Sequence, residues 1–240
     1  MATHEDPFST LPAMAESEHS ADRMRKLVET AEALRDSMPD YVGMTAFGST
    51  VRGEAHGESD VDINVFFDPT METPEAGSTV DQVVRQGEDT DLPGMHIFDP
   101  SVNWSYKFLV GMAAGEHGIP DADVSVLPIS EAIVDDQTAY ALRGAERWDT
   151  TGQGHAVAPR NIRGLFNAPV DTSSLRAYRE RVLRTYADSP HGETAWRMLR
   201  HLVATFEVGR GGDHANVTHR ELPQTLDAAI AYYLEPDVEQ

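Results

Sequence analysis

Between residues 41 and 67 the chain reads as a strand, a glycine turn and a second strand, and this run limits the fold more than any other. Tyr41 to Phe47 is a short apolar strand that runs into Gly48-Ser49. From Asp60 onward the residues alternate. Val61, Ile63 and Val65 fall on one face, and Asp60, Asp62 and Asn64 on the other. Such a strand belongs to a sheet with helices behind it and an open acidic face in front.

The chemistry of this run can be read from its residue types. Glycine after a strand lets backbone N–H groups approach a phosphate, and a helix start favours an anion. The Ser49 hydroxyl adds a donor. Period two puts the Asp60 and Asp62 carboxylates on one face, roughly 6 to 7 Å apart along the strand. Two hard oxygen ligands side by side suit Mg²⁺ whose other ligands are waters and phosphate oxygens. Two such ions about 4 Å apart can clamp the attacking and leaving oxygens of an in-line displacement. A third carboxylate from a neighbouring strand would complete the cluster. Asp123, at the head of the apolar strand 123–129, is placed for that; Asp121, two residues away on the same face, is its rival, and Asp99 and Glu116 are weaker ones.

Elsewhere the periodicity alternates between helix and strand. Met24, Leu27, Val28, Ala31, Leu34 and Met38 have helical spacing, closed by Pro39. Residues 68–94 read as a loop-rich insertion around a weak helix from Val80 to Arg85. A helix from Ser101 to Glu116 would present Val102, Tyr106, Leu109, Val110 and Ala113 on one side and stop at Gly118-Ile119-Pro120. Another runs from about Glu131 to Trp148. Three helical patterns follow residue 170: Leu175, Tyr178, Val182 and Tyr186, with Asp171 or Thr172 as cap; Trp196, Leu199, Val203 and Phe206; and Leu222, Leu226, Ile230 and Tyr233, opened by Pro223 at the first helical position. The expected organisation is a loose tail over 1–19, an α/β domain over 20–150, a Gly/Pro-containing connector over 151–170 and a helical domain over 171–240.

Composition narrows the classes. Asp and Glu total 40 against 19 Lys and Arg, a formal net charge of -21, and Lys26 and Lys107 are the only lysines. That balance looks like the habit of salt-in halophilic archaea, where solvated carboxylates keep a protein soluble and ~1 M salt shortens the Debye length to about 3 Å. Duplex nucleic acid held through phosphate contacts is not expected, since no Lys/Arg cluster is present. There is no cysteine, which excludes disulfides, thiolate metal sites and cysteine nucleophiles. No stretch approaches the ~20 apolar residues of a membrane span. Residues 1–16 lack a basic region followed by an apolar core, so no signal peptide is expected and a cytoplasmic location is.

Gly48-Ser49, a spacer of about ten residues and Asp60-x-Asp62 resemble the signature of nucleotidyltransferases of the DNA polymerase beta superfamily. The Ser49-x-x-Arg52-Gly53 and Ser59-Asp60-x-Asp62 details are closest to the minimal nucleotidyltransferases, including antitoxin partners of HEPN toxins, and are similar to the kanamycin nucleotidyltransferase type. The likeness covers residues 20–150. It implies a small mixed β-sheet nucleotidyltransferase domain followed by a C-terminal helical domain. It also implies that Asp60, Asp62 and Asp123 hold the metals, Mg²⁺ in two sites with Mn²⁺ as the substitute, and that Asp123 can act as base. Gly48, Ser49, Arg52 and Ser59 would bind the nucleotide. The implied reaction moves a nucleoside monophosphate, AMP in the first instance, from an NTP to an acceptor hydroxyl or amine with release of pyrophosphate. Two alternatives remain open: an antitoxin that binds or modifies a partner toxin, and a relative that binds nucleotide without catalysis. The stretch between Asp62 and Asp123 is about twice that of the minimal enzymes.

Blander readings stand beside these. Asp-x-Asp is cheap in so acidic a chain, and Asp121-Ala122-Asp123 is a second one. Ser49 can serve as a helix cap, and Arg52 as a surface charge opposite Glu54 or Glu58. His214 and His219 are read as solvated, and Arg197 with His201 is one residue short of the ribonuclease spacing of HEPN domains. Gly152-x-Gly154 is too short for a phosphate loop, and the stripe from Trp196 to Phe206 is read as core.

Overall fold

The computed structural model describes residues 18–68, 100–153, 156–207 and 222–234. In chain order the elements are α1 (Glu18–Ser37), β1 (Tyr41–Phe47), α2 (Gly48–Val51), β2 (Val61–Phe67), α3 (Pro100–Glu116), β3 (Ala122–Pro128) and α4 (Glu131–Thr151). There follow α5 (Arg160–Leu165), β4 (Ala168–Asp171), α6 (Arg176–Ala187), α7 (Gly192–Glu207) and α8 (Leu226–Leu234). Four strands form one mixed sheet in the order β3-β2-β1-β4. β1 runs antiparallel to both β2 and β4, and β2 runs parallel to β3. The weak helix expected near Val80 to Arg85, and His214 and His219, lie outside the described residues.

The alternation along β2 decides how the sheet is covered. Val61, Ile63, Val65 and Phe67 join Val124 and Val126 of β3 in a cluster with Met24, Leu27 and Leu34 of α1 and Tyr106 and Val110 of α3. Burying four such side chains, at ~1.5–3 kcal/mol each, fixes which face of β2 turns inward, because a one-residue slip would expose them all. On α3 the buried row is Tyr106, Val110 and Ala114, and Tyr106 stacks on Phe67 with ring centroids 4.6 Å apart. Leu109, expected on the inner side, is instead half exposed, beside exposed Phe108 and Met112. An i, i+4 row suits a helix lying on the sheet, and that turns Leu109 away.

On the opposite face, β2 and β3 supply Phe66 and Leu127 to a second cluster. This one is filled by α4, α5, α6, α7 and α8, with Trp196, Tyr186 and Phe166 at its centre. The helices after residue 170 therefore share a core with the sheet. Polar ties join them to α4: Arg181 reaches Glu131 and Asp135, and Asp149 accepts from Thr194 at 2.8 Å.

Three expectations about the later chain need correction. Residues 151–170, read as a connector, supply α5 and most of β4, so the sheet is completed from beyond the expected boundary. Asp171 does not cap a helix; it ends β4 and pairs with Arg35 of α1 at 2.8 Å. The last helix begins at Leu226 rather than at Pro223. The Pro223 carbonyl accepts from Trp196 Nε1, Glu193 takes the Leu226 N–H, and Thr225 Oγ1 accepts from the Ala228 N–H. These three bonds satisfy polar groups that a longer helix would have used internally.

Candidate active site

Strand register brings the acidic residues together. Asp62 of β2 pairs directly with Asp123 of β3, and with Phe47, the last residue of β1. Gly48 follows Phe47 at once and opens α2, so the turn and both aspartates meet at one end of the sheet. Glycine is required at position 48 twice over. Its φ is 75°, a left-handed value that other residues adopt at a cost. A Cβ there would lie 2.0 Å from Asp62 Oδ2. The backbone of the turn thus rests against the Asp62 carboxylate, an approach only a residue without a side chain permits.

Asp62 is half-buried, whereas Asp60 and Asp123 are exposed. Burial pushes the Asp62 carboxyl up to about 6, and the charges of Asp60 and Asp123 push in the same direction; Arg52 opposes them. An acid with two like charges beside it and a desolvated carboxyl is short of positive charge. The donor set is hard oxygen, which suits a divalent cation of the Mg²⁺ class. Among the described residues, however, no three acidic or histidine side chains converge on one ion-sized centre. The carboxylates share a strand end and feel one another's charge. Carboxylates of like charge repel one another, which is the same force that raises Asp62. Asp121 differs from Asp123. Its backbone carbonyl accepts from the Val61 N–H, and its charge is not among those acting on Asp62.

The other expected residues divide. Ser49 lies in α2, and its carbonyl accepts from the Glu54 N–H. Arg52 pairs with Glu54 at 2.8 Å yet also attracts Asp62, and its buried Nη1 has no hydrogen-bond partner among the described residues. It therefore combines the surface pairing with a pull on the acidic cluster. The Ser59 hydroxyl accepts from the His56 N–H at 3.1 Å and is used inside the turn before β2. The Ser20 hydroxyl of α1 accepts from the Ala55 N–H, which anchors the same loop. Arg197 donates to Thr194, within α7, and His201 is exposed.

Sequence reasoning missed the wall behind the carboxylates. One pleat beyond Asp62 and Asp123 lies a polar row of Thr45, Asn64 and Ser125. Asn64 donates to Thr45 Oγ1, and Thr45 donates to the Gly164 carbonyl at 2.9 Å. α5 lies across this row. Arg160 donates to the Ser125 hydroxyl, Asn161 to the Pro128 carbonyl, and Gly164 sits so close that a Cβ would meet Leu127 at 2.8 Å and Phe66 at 3.0 Å. α7 packs against both α2 and α5, so the helical part of the chain borders the glycine turn directly. The polar alternation of β2 and β3 was the only sequence signal for this wall.

Residues 27–96 match the family model described as the nucleotidyltransferase domain. The matched span contains Gly48, Ser49, Asp60 and Asp62 and stops short of Asp123. No curated protein and no solved structure matches the chain.

Proposed function

We propose that this chain, which carries a nucleotidyltransferase domain of the polymerase beta superfamily, transfers a nucleoside monophosphate from an NTP to an acceptor hydroxyl or amine. The observation that carries the reading is the register that sets Asp62 beside Asp123, with Gly48 against Asp62. Asp60, Asp62 and Asp123 would hold the divalent metal, which supplies a Lewis acid and charge neutralisation at the phosphates. Gly48 and Ser49 would offer backbone and hydroxyl donors to the β- and γ-phosphates, and Arg52, already drawn toward Asp62, would add positive charge. The acceptor oxygen or nitrogen attacks the α-phosphorus as the bond to the bridging pyrophosphate oxygen breaks. The acceptor proton passes to a carboxylate, for which exposed Asp123 is the candidate. Positioning and electrostatics carry most of the work. No described helix is long and apolar enough to cross a membrane.

The test is to incubate the chain with each labelled NTP, Mg²⁺ and a lysate in molar KCl, and to follow pyrophosphate release and the labelled product. The expected result is Mg²⁺-dependent transfer that falls by orders of magnitude in Asp62→Asn, as loss of a metal carboxylate predicts. Equal turnover by the wild type and Asp62→Asn would contradict the reading.

A further inference from the structure

The wall formed by α5 carries two guanidinium groups that the proposed donor chemistry does not use. Arg160 is exposed, and its Nη2 donates to the buried Ser125 hydroxyl. Among the described residues no carboxylate pairs with Arg160, although the chain has 40 acidic residues to offer. Arg163 lies three residues further along the same short helix and is half-buried. Burial lowers its guanidinium, and the charge of Arg160 lowers it further, so the two cations stand close enough to repel. A guanidinium with no carboxylate beside it, held against a desolvated wall, favours an anion at its remaining N–H groups.

Their place in the sheet says which anion. Gly48 and Ser49, the proposed seat of the donor's outer phosphates, stand at the end of β1. Arg160 is held over β3, on the far side of β2, through Ser125. Ser125 is one pleat from Asp123, roughly 6 to 7 Å along the strand. The arginine therefore flanks the carboxylate proposed to face the acceptor, across the acidic strand end from the donor's phosphates. A net charge of -21 repels an anionic small molecule at long range, so such a molecule needs a local cationic foothold to be held here.

We propose that Arg160, supported by Arg163 and seated by Ser125, binds a phosphate or carboxylate carried by the acceptor, and that the acceptor is a small acidic molecule with a free hydroxyl rather than a cationic aminosugar. This rests on the nucleotidyltransferase reading of the preceding section. Arg160 is a binding residue in it, and Ser125 a positioning residue that fixes the guanidinium over β3.

The probe is glycerol 3-phosphate, with glycerol as the uncharged comparator. The full chain is first saturated with Mg²⁺ and an ATP analogue whose α,β-bridge is methylene, then titrated with each probe at one fixed salt concentration by calorimetry. The expected result is saturable binding of glycerol 3-phosphate and none of glycerol. Arg160→Gln should weaken the phosphate probe ~10-fold or more and leave the analogue's affinity unchanged. Arg160→Lys should restore part of it, since a point charge keeps attraction but loses the planar fork. Ser125→Ala, which keeps the arginine but frees it, should weaken the probe by a smaller factor and guards against a folding defect in the first variant. Absence of saturable binding to the nucleotide-loaded wild type, or unchanged binding in Arg160→Gln, would overturn the proposal. So would a loss confined to the ATP analogue, which would assign the arginine to the donor. If the analogue fails to bind the wild type at all, the reading of the preceding section fails first.

Discussion

β2 and β3 have two faces built from the same alternation, and the faces do different jobs. On one, Val61, Ile63, Val65 and Phe67 lie against Val124 and Val126, and every one of them is buried. On the other, polarity changes along the strand. Asp62 and Asp123 come first, then Asn64 and Ser125, then Phe66 and Leu127. The first face is uniform because, among the described residues, the helices packed on it are α1 and α3, and close packing of apolar groups is all it must achieve. The second is graded because its far end is core while its near end reaches solvent. The hydrogen-bonded middle row lets a buried sheet surface pass into an acidic one without orphaned polar groups. One face is apolar along its whole length, while the other passes from core to the acidic strand end proposed to hold cation and phosphate.

That division predicts that substitutions on the two faces change different quantities. The largest loss of stability should come from the uniform face. Ile63 is fully buried there, and Ile63→Ala should cost ~2–5 kcal/mol in a denaturant titration. A loss below about 1 kcal/mol would mean that this face is not the one that holds the sheet. The next effect belongs to the junction. Gly48→Ala needs a left-handed conformation and puts a methyl onto Asp62 Oδ2. It should destabilise by ~1–3 kcal/mol and, unlike Ile63→Ala in its folded fraction, should abolish nucleotide binding. Normal binding in Gly48→Ala would separate the turn from the site.

The smallest effect, and opposite in sign, should come from the graded face. With chelator present, Asp62→Asn removes a carboxyl pushed up to about 6 by burial and by Asp60 and Asp123. Because the folded chain holds that proton more tightly than the unfolded chain, this group favours folding at acid pH. Its contribution is complete below the unfolded value of about 3.9 and is lost as pH rises through about 6. The metal-free wild type should therefore lose stability relative to Asp62→Asn between pH 5 and pH 7. Melting curves across that range check it, and a constant difference between the two chains would show that Asp62 feels no strain from its neighbours.

The two faces were unequally legible in the sequence. The alternation from Asp60 to Val65 gave away both faces of β2, and Gly48-Ser49 marked the turn, because local spacing encodes each of them. The adjacency of Asp62 and Asp123 is another matter. It depends on a parallel pairing between strands far apart in the chain, and with Asp121 one pleat away the residue pattern alone left the choice open. α5 was invisible for a related reason. Its six residues have too little local preference to read as a helix, and they sit in a Gly- and Pro-containing stretch. What holds them are tertiary bonds, from Arg160 to Ser125, Asn161 to Pro128 and Thr45 to Gly164. The same cause displaced the start of α8, where Trp196 and Glu193 of another helix capture the backbone groups of Pro223 and Leu226.

The claim at the centre of this account is that Asp60, Asp62 and Asp123 act together on a metal-bound nucleotide. Calorimetric titration with Mg²⁺ and a non-hydrolysable NTP analogue tests it most directly, comparing the wild type with single Asp→Asn changes at 60, 62, 123 and 121. The account predicts Mg²⁺-dependent binding that collapses at 60, 62 and 123 and survives at 121, while all four variants stay folded. Binding that survives at both 60 and 62 would contradict the nucleotidyltransferase reading, and binding lost at 121 but kept at 123 would move the third carboxylate by one pleat.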